Sequence, residues 1–233
     1  VSGRPVKTFT IGFDVEGYDE RPFAKAAAAK FATAHHERLV DPADFAAVEM
    51  LVRRCGEPYA DSSILPTYLL SRFTRENVTV ALSGDGADEL FAGYYRYLAF
   101  KLASFADMIP AAIRRRIGEA SSLIPSGANE RTRAGKAKRF LKSVSSEPDR
   151  RYFEIISRFD QDLKIELYGD RFGVEEILPD TSAFIKGLYS AATARDPVEK
   201  LMECDFLSYL PDDILAKVDI ASMACSLEVR SPF

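Results

Sequence analysis

Hydrophobic positions in the first third of the chain follow two alternating periods. Residues 6 to 13, VKTFTIGF, gather β-branched and aromatic side chains in a block that suits a buried strand. The alanine-rich DERPFAKAAAAKFATAH that follows predicts a helix, with Pro22 tolerated in its first turn, where no intrahelical N–H is needed. HERLV then predicts a short strand. DPADFAAVEMLVRRCG predicts a helix with Asp41 as its N-cap and Gly56 past its end, and SILPTYLLSRFTREN predicts another. VTVAL, residues 78 to 82, is the next strand. Strands and helices alternating at this spacing imply a mostly parallel sheet with helices on both faces.

From Tyr94 onward only the helical period persists. Two helices are expected across 94 to 123, broken at Pro110, with further helical segments near 137–145, 148–158, 180–193 and 197–209. Residues 125 to 136, PSGANERTRAGK, combine turn formers with charge and read as an exposed, mobile connection. The expected organisation is an α/β portion over 1–93 followed by a helical portion over 94–233. The chain begins abruptly and stops at EVRSPF just as another element falls due, so it reads as a piece of a longer polypeptide.

Composition narrows the function classes. A hydrophobic content of 47% over 233 residues supports a sizeable core, and a net charge of −4 with 28% charged residues excludes a polybasic nucleic-acid binder. Nucleic acid is not an expected partner. Apolar runs fall short of the roughly 18 residues that span a bilayer, and no membrane partner or signal peptide is expected. Cys55, Cys204 and Cys225 are odd in number and widely spaced, which suggests neither a disulfide framework nor a zinc site and fits a reducing cytoplasm.

The chemistry concentrates in VALSGDGADELFAGYY, residues 80 to 95, where Asp85, Asp88 and Glu89 crowd a glycine-rich turn after a strand. Ligands of open parallel sheets sit beyond the carboxyl ends of the strands. The loop matches neither a phosphate-binding G-x-x-x-x-G-K-[ST] nor an EF-hand, and bare carboxylates repel phosphate. A hard cation such as Mg2+ bridging them to a polyphosphate resolves that conflict. The alternative is a solvated helix N-terminus, whose macrodipole favours acidic residues in its first turn.

SGDGADELFAGY together with LPDDILAKVDIASMACSLEVRSPF resembles the synthetase domain of glutamine-hydrolysing asparagine synthetases, and GEPYADSSILPTYLLSR and KTFTIGF resemble further segments of that family. The likeness covers nearly the whole chain and is weakest over about 110 to 180. It implies an adenine nucleotide alpha hydrolase-like fold of the ATP pyrophosphatase type, ATP as co-substrate and Mg2+ as cofactor. The implied reaction adenylates the side-chain carboxylate of aspartate, releases pyrophosphate, and lets ammonia displace AMP. An N-terminal glutaminase domain of the same polypeptide supplies the ammonia, and the resemblance allows a homodimer.

By the same resemblance Asp88 is the Mg2+ ligand, and Asp85 lies near the acyl-adenylate and handles a proton from ammonia. Ser83 and Gly84 contact the nucleotide through their backbone, and Thr10 and Ile11 border adenine. Lys217 stabilises charge on the transferring phosphoryl and pyrophosphate groups. On spacing alone the better reading of Lys217 is an i,i+4 surface pair with Asp213, and only its place inside the matching motif reverses that. Asp61, Ser62 and Ser63 suit a helix cap or a contribution to the aspartate or nucleotide pocket. Glu228 and Arg230 either orient the site or pair with each other. His35 and His36 point to opposite sides of a strand and do not share a metal. The basic residues Arg114 to Arg116 and the cluster 131–142 read as solvated helix faces.

The sequence departs from the family in three respects. The S-G-G-x-D-S pyrophosphate loop and the glutaminase nucleophile do not occur in these 233 residues, and Ile220 stands where many members carry Arg. Activity of this piece alone is therefore not expected. Two alternatives remain at this stage: a related β-lactam or peptide amide-forming synthetase, and a non-catalytic nucleotide-binding or interaction domain. In the enzyme reading the loop 83–89 and Lys217 are expected at one cleft.

Overall fold

The structure is a computed structural model that describes residues 3–15, 19–124, 133–157, 164, 167–168 and 182–232. Its chain divides into two compact units, Val1–Asp85 with Leu210–Phe233, and Gly86–Tyr209.

In the first unit β1 (Lys7–Gly12) pairs in parallel with β2 (Ala34–Leu39), in register from Lys7 opposite Ala34 to Gly12 opposite Leu39. Between them runs α1 (Arg21–Phe31), with Pro22 in its first turn. This helix is shorter than the predicted segment, because residues 34 to 36 leave the alanine run to pair with β1. His36 stacks on Phe9 with centroids 5.1 Å apart, while His35 Nδ1 lies 2.9 Å from the Thr8 hydroxyl, so the two imidazoles occupy opposite faces. Asp41 caps the next segment as expected, in a reciprocal capping box with Asp44. The segment is not one helix, however: a 3-10 stretch over Pro42–Ala47 precedes α2 (Val48–Cys55). Gly56 ends α2 at φ 73°, a left-handed conformation open to glycine. From α3 (Ile64–Arg75), Leu65 and Leu69 pack with Leu51 of α2 to form the core of this unit, joined by Ile11, Val40 and Met50.

The third strand, β3 (Val80–Leu82), does not join β1 and β2. The second unit then runs through α4 (Ala87–Phe91) and α5 (Tyr95–Ser104), and Pro110 caps α6 (Ala111–Ala120). It continues with α7 (Arg133–Ser145), α8 (Pro148–Ile156), α9 (Ser182–Ala191) and α10 (Pro197–Leu207). Of the connection expected over 125–136, residues 125–132 lie outside the described residues, and the rest already belongs to α7. Tyr97, Phe100, Tyr152, Ile185, Leu201 and Cys204 form the core of this unit.

Two clusters of charged residues tie this unit together, each with buried members. Asp205 accepts hydrogen bonds from Arg96 Nη2 at 2.8 Å, from the Tyr97 hydroxyl at 2.6 Å and from the Tyr152 hydroxyl. Arg114 is not on a solvated face as expected: it is buried and donates to Asp107 at 2.7 Å, which also pairs with the fully buried Arg151. Arg115 and Arg116 are exposed.

The chain returns to the first unit through a π-helical turn, Leu210–Leu215, that leads into α11 (Ala216–Met223) and β4 (Glu228–Arg230). β4 pairs in parallel with β3, Val80 opposite Glu228 and Leu82 opposite Arg230. The described strands thus make two two-stranded parallel sheets where the sequence pattern implies one. The helical expectation for 94–233 is interrupted by β4, a strand of three residues whose ends, Glu228 and Arg230, are charged. These two pair with each other, Arg230 Nε donating to Glu228 at 2.6 Å.

Candidate functional site

Lys217 sits one residue into α11 and is 8% exposed. Its ammonium donates to Asp61 Oδ2 and to the Ser63 hydroxyl, both at 2.8 Å. The surface pair with Asp213 does not form, and the local backbone gives the reason. An α-helix aligns residues i and i+4, whereas the i→i+5 bonding of a π turn widens the helix and rotates that alignment away. Asp213 lies within the π turn and Lys217 just beyond it. Pro211, which has no N–H to give, sits in the same turn. Asp213 is used instead by Tyr59, whose hydroxyl lies 2.8 Å from both its carboxylate and its backbone carbonyl. Burial, together with the Asp213 carboxylate, pushes the Tyr59 phenol well above its ordinary value.

Asp61 and Ser63 precede α3 and close a triangle with the lysine. Asp61 Oδ1 accepts the Ser63 backbone N–H at 2.8 Å, and Oδ2 accepts the Ser63 hydroxyl at 2.7 Å. The turn is thus ordered by local hydrogen bonds before the lysine is counted. Burial alone would raise the Asp61 pKa, but the bonds from Lys217 and Ser63 hold it below the ordinary carboxylate value. Sequence reasoning left Asp61 and Ser63 between a cap and a pocket role and did not single out Tyr59. The D-S-S preceding a helix was the available signal; the π turn that brings Lys217 to it has none at the level of spacing.

The loop after β3 is tied to the end of β4. The Ser83 N–H donates to the Arg230 carbonyl at 3.0 Å, and the Ser231 hydroxyl donates to the Asp85 carbonyl at 2.5 Å. Gly84 is exposed, and a Cβ placed on it would meet nothing within 4 Å. Among the described residues no contact therefore demands glycine there. Gly86 is different, with φ 90° at the start of α4.

In the second unit the crowded carboxylates prove to have distinct surroundings. Glu89 is 2% exposed and accepts the Tyr94 hydroxyl at 2.7 Å, whereas Asp88 is exposed and its carboxylate has no hydrogen bond or ion pair among the described residues. Burial and the bond to Glu89 raise the Tyr94 phenol. Gly93 permits a close approach: its N–H donates to the Asp88 carbonyl at 2.9 Å, and a Cβ on it would fall 1.9 Å from Asp88 Oδ1.

Among the described residues no group of three or more His, Cys, Asp or Glu is arranged to hold a metal. Mg2+ is commonly held by only one or two protein carboxylates, so the free Asp88 carboxylate would be compatible with it without such a group. Thr10 and Ile11 are half-buried on β1, and the Ile11 side chain packs into the core of the first unit. Among the described residues no hydrogen bond or ion pair joins Lys217 to Thr10, Ser83 or Asp85. A recess between α1 and β2, lined by Ala28, Ala32, Thr33, His35 and Glu37 among others, includes none of the sequence-predicted site residues.

A family model described as asparagine synthase matches residues 1–233. A putative glutamine-hydrolyzing asparagine synthetase of Mycobacterium tuberculosis (strain CDC 1551 / Oshkosh) is 34% identical over 229 residues, covering 97% of this chain and 33% of that protein. Glutamine-hydrolyzing asparagine synthetase 1 of Bacillus subtilis (strain 168) is 27% identical over 232 residues, covering 98% and 34%. A putative glutamine-hydrolyzing asparagine synthetase 2 of Methanocaldococcus jannaschii is 40% identical over 111 residues, covering 46% and 21%. The chain spans about a third of the length of the first two relatives. With the family model matched from the first residue to the last, the chain belongs to the asparagine synthase family.

Proposed function

We propose that this chain carries the carboxylate-activating part of an ATP-dependent asparagine synthetase. The observation that carries the reading is the family match over residues 1–233, with relatives 34% and 27% identical named as glutamine-hydrolyzing asparagine synthetases. An oxygen of the aspartate side-chain carboxylate attacks the α-phosphorus of ATP and pyrophosphate leaves. Ammonia then adds to the acyl carbon, loses a proton, and expels AMP. The relatives are named glutamine-hydrolyzing, and a glutaminase domain in the same polypeptide would be the corresponding source of ammonia here.

Each step places a demand on this chain's residues. Lys217, a cation held in a mostly buried setting, is suited to offset charge on the departing pyrophosphate, where a low dielectric strengthens the interaction. Asp88, exposed and unpaired among the described residues, would hold Mg2+, which supplies neutralisation of polyphosphate charge when bound. Asp85 would take the proton released by the attacking nitrogen. The open space over Gly84 and the ordered Ser83 backbone suit nucleotide contact, with Thr10 and the backbone of Ile11 beside the base.

The test is pyrophosphate release by the complete gene product given ATP, aspartate, ammonia and Mg2+. Asp88→Asn, which keeps the shape of the side chain and removes its charge, abolishes release on this reading. Unchanged release by both Asp88→Asn and Lys217→Met overturns the residue assignment. The absence of release from the unmutated protein overturns the activity.

A further inference from the structure

Lysine on a helix reaches solvent by default, because its charged end loses hydration when buried. Lys217 does not. Its side chain is 10% exposed, and that of Asp61 is 22% exposed. The ammonium has three donors, of which Asp61 Oδ2 and Ser63 Oγ take two. No third protein acceptor is present among the described residues. The partners are themselves fixed: Ser63 Oγ donates to the same Asp61 oxygen that receives the lysine, and the Ser63 N–H holds the other oxygen. Tyr59, two residues before Asp61, clamps the π turn that precedes Lys217 through Asp213. The two chain segments are thus joined at two successive points.

An ordinary surface ion pair needs none of this, since exposed pairs contribute little and wander among rotamers. A cation that must meet a transferring phosphoryl group gains from being held still, because misplacement by about 1 Å is enough to cost on the order of 100-fold in rate. Resting on the reading of Lys217 given above, we propose that Asp61 is a positioning residue for the reaction: with Ser63 it holds the Lys217 ammonium in one place and leaves one of its donors for an anionic ligand. Asp61 does not itself touch the nucleotide or the acid. Its effect on rate therefore passes through the lysine.

A double-mutant cycle isolates that dependence. Wild type, Asp61→Asn, Lys217→Met and the double variant of the complete gene product are compared for kcat and KM in pyrophosphate release, and for thermal midpoint. Asp61→Asn is expected to lower kcat by about 10- to 100-fold, with KM for ATP within about threefold. The double variant is expected to be no slower than Lys217→Met alone. Ser63→Ala, which removes one neutral acceptor and leaves the charge pair, gives a smaller loss in the same parameter and keeps the test open if Asp61→Asn folds poorly. Full activity of Asp61→Asn overturns the proposal, as does a double variant slowed by the product of the two single effects. Parallel losses of kcat, ATP affinity and thermal midpoint in both the Asp61 and Ser63 variants reduce the triangle to a structural role and also overturn it. If Lys217→Met keeps the wild-type rate, the underlying assignment of the lysine fails, an outcome separate from the others.

Discussion

The Tyr94 hydroxyl donates to the Glu89 carboxylate at 2.7 Å across the turn that follows α4, and Glu89 is almost wholly buried. A buried carboxylate left without its donor costs about 1–3 kcal/mol, or more when charged. Tyr94→Phe is therefore expected to destabilise the protein by about that amount in urea unfolding. Tyr95→Phe, at a side chain 90% exposed, serves as the control and is expected to change nothing measurable.

Asp205 is a buried charged junction in the second unit, with Arg96, Tyr97 and Tyr152 all donating to it. Arg96 is also stacked on Tyr94, its guanidinium 3.8 Å from the ring centroid. Asp205→Ala leaves that guanidinium without its counter-charge and is expected to cost about 3–5 kcal/mol. Tyr152→Phe removes one donor and is expected to cost less, about 1.5–3 kcal/mol, by the same denaturant titration.

Acid should weaken the first unit partly through Asp61. Its folded pKa lies below the ordinary value of 3.8, so the carboxylate contributes stability that is fully present above that value. The contribution is lost as pH falls through the lowered folded pKa. The stability difference between wild type and Asp61→Asn is expected to be constant near neutrality and to shrink on acidification below about pH 4. A difference that grows on acidification contradicts the pairing with Lys217.

Cysteine reactivity separates the three thiols. Cys204 is 1% exposed, and burial together with the neighbouring Asp205 pushes its thiol up to about 11. Cys55 is half-exposed. An alkylating reagent followed by mass spectrometry is expected to label Cys55 well before Cys204 in the native protein, and all three after denaturation.

What the sequence revealed depended on how local the signal was. Asp41 and Gly56 mark the ends of a segment through hydrogen bonds and backbone freedom that involve their immediate neighbours, and both perform those roles. The strand–helix alternation of the first 82 residues, and Pro110 as a break, were legible for the same reason. β4 was not, because three residues with charged ends carry no periodicity; only pairing with β3, some 150 positions earlier, makes them a strand. The partner of Lys217 was hidden by a change of helical period at Leu210–Leu215, which spacing rules for an α-helix misread. Asp85, Asp88 and Glu89 looked alike in sequence, and tertiary contacts alone separate the buried Glu89 from the exposed Asp88.

On the proposed function, aspartate is activated as its side-chain adenylate. Aspartate labelled with 18O in its side-chain carboxylate, supplied to the complete gene product with ATP, ammonia and Mg2+, tests this most directly by mass spectrometry of the products. If the carboxylate oxygen attacks the α-phosphorus, the bond later broken by ammonia leaves a labelled oxygen on AMP, and AMP with one 18O is the expected result. Label in inorganic phosphate alongside ADP, or AMP that carries none, would contradict it.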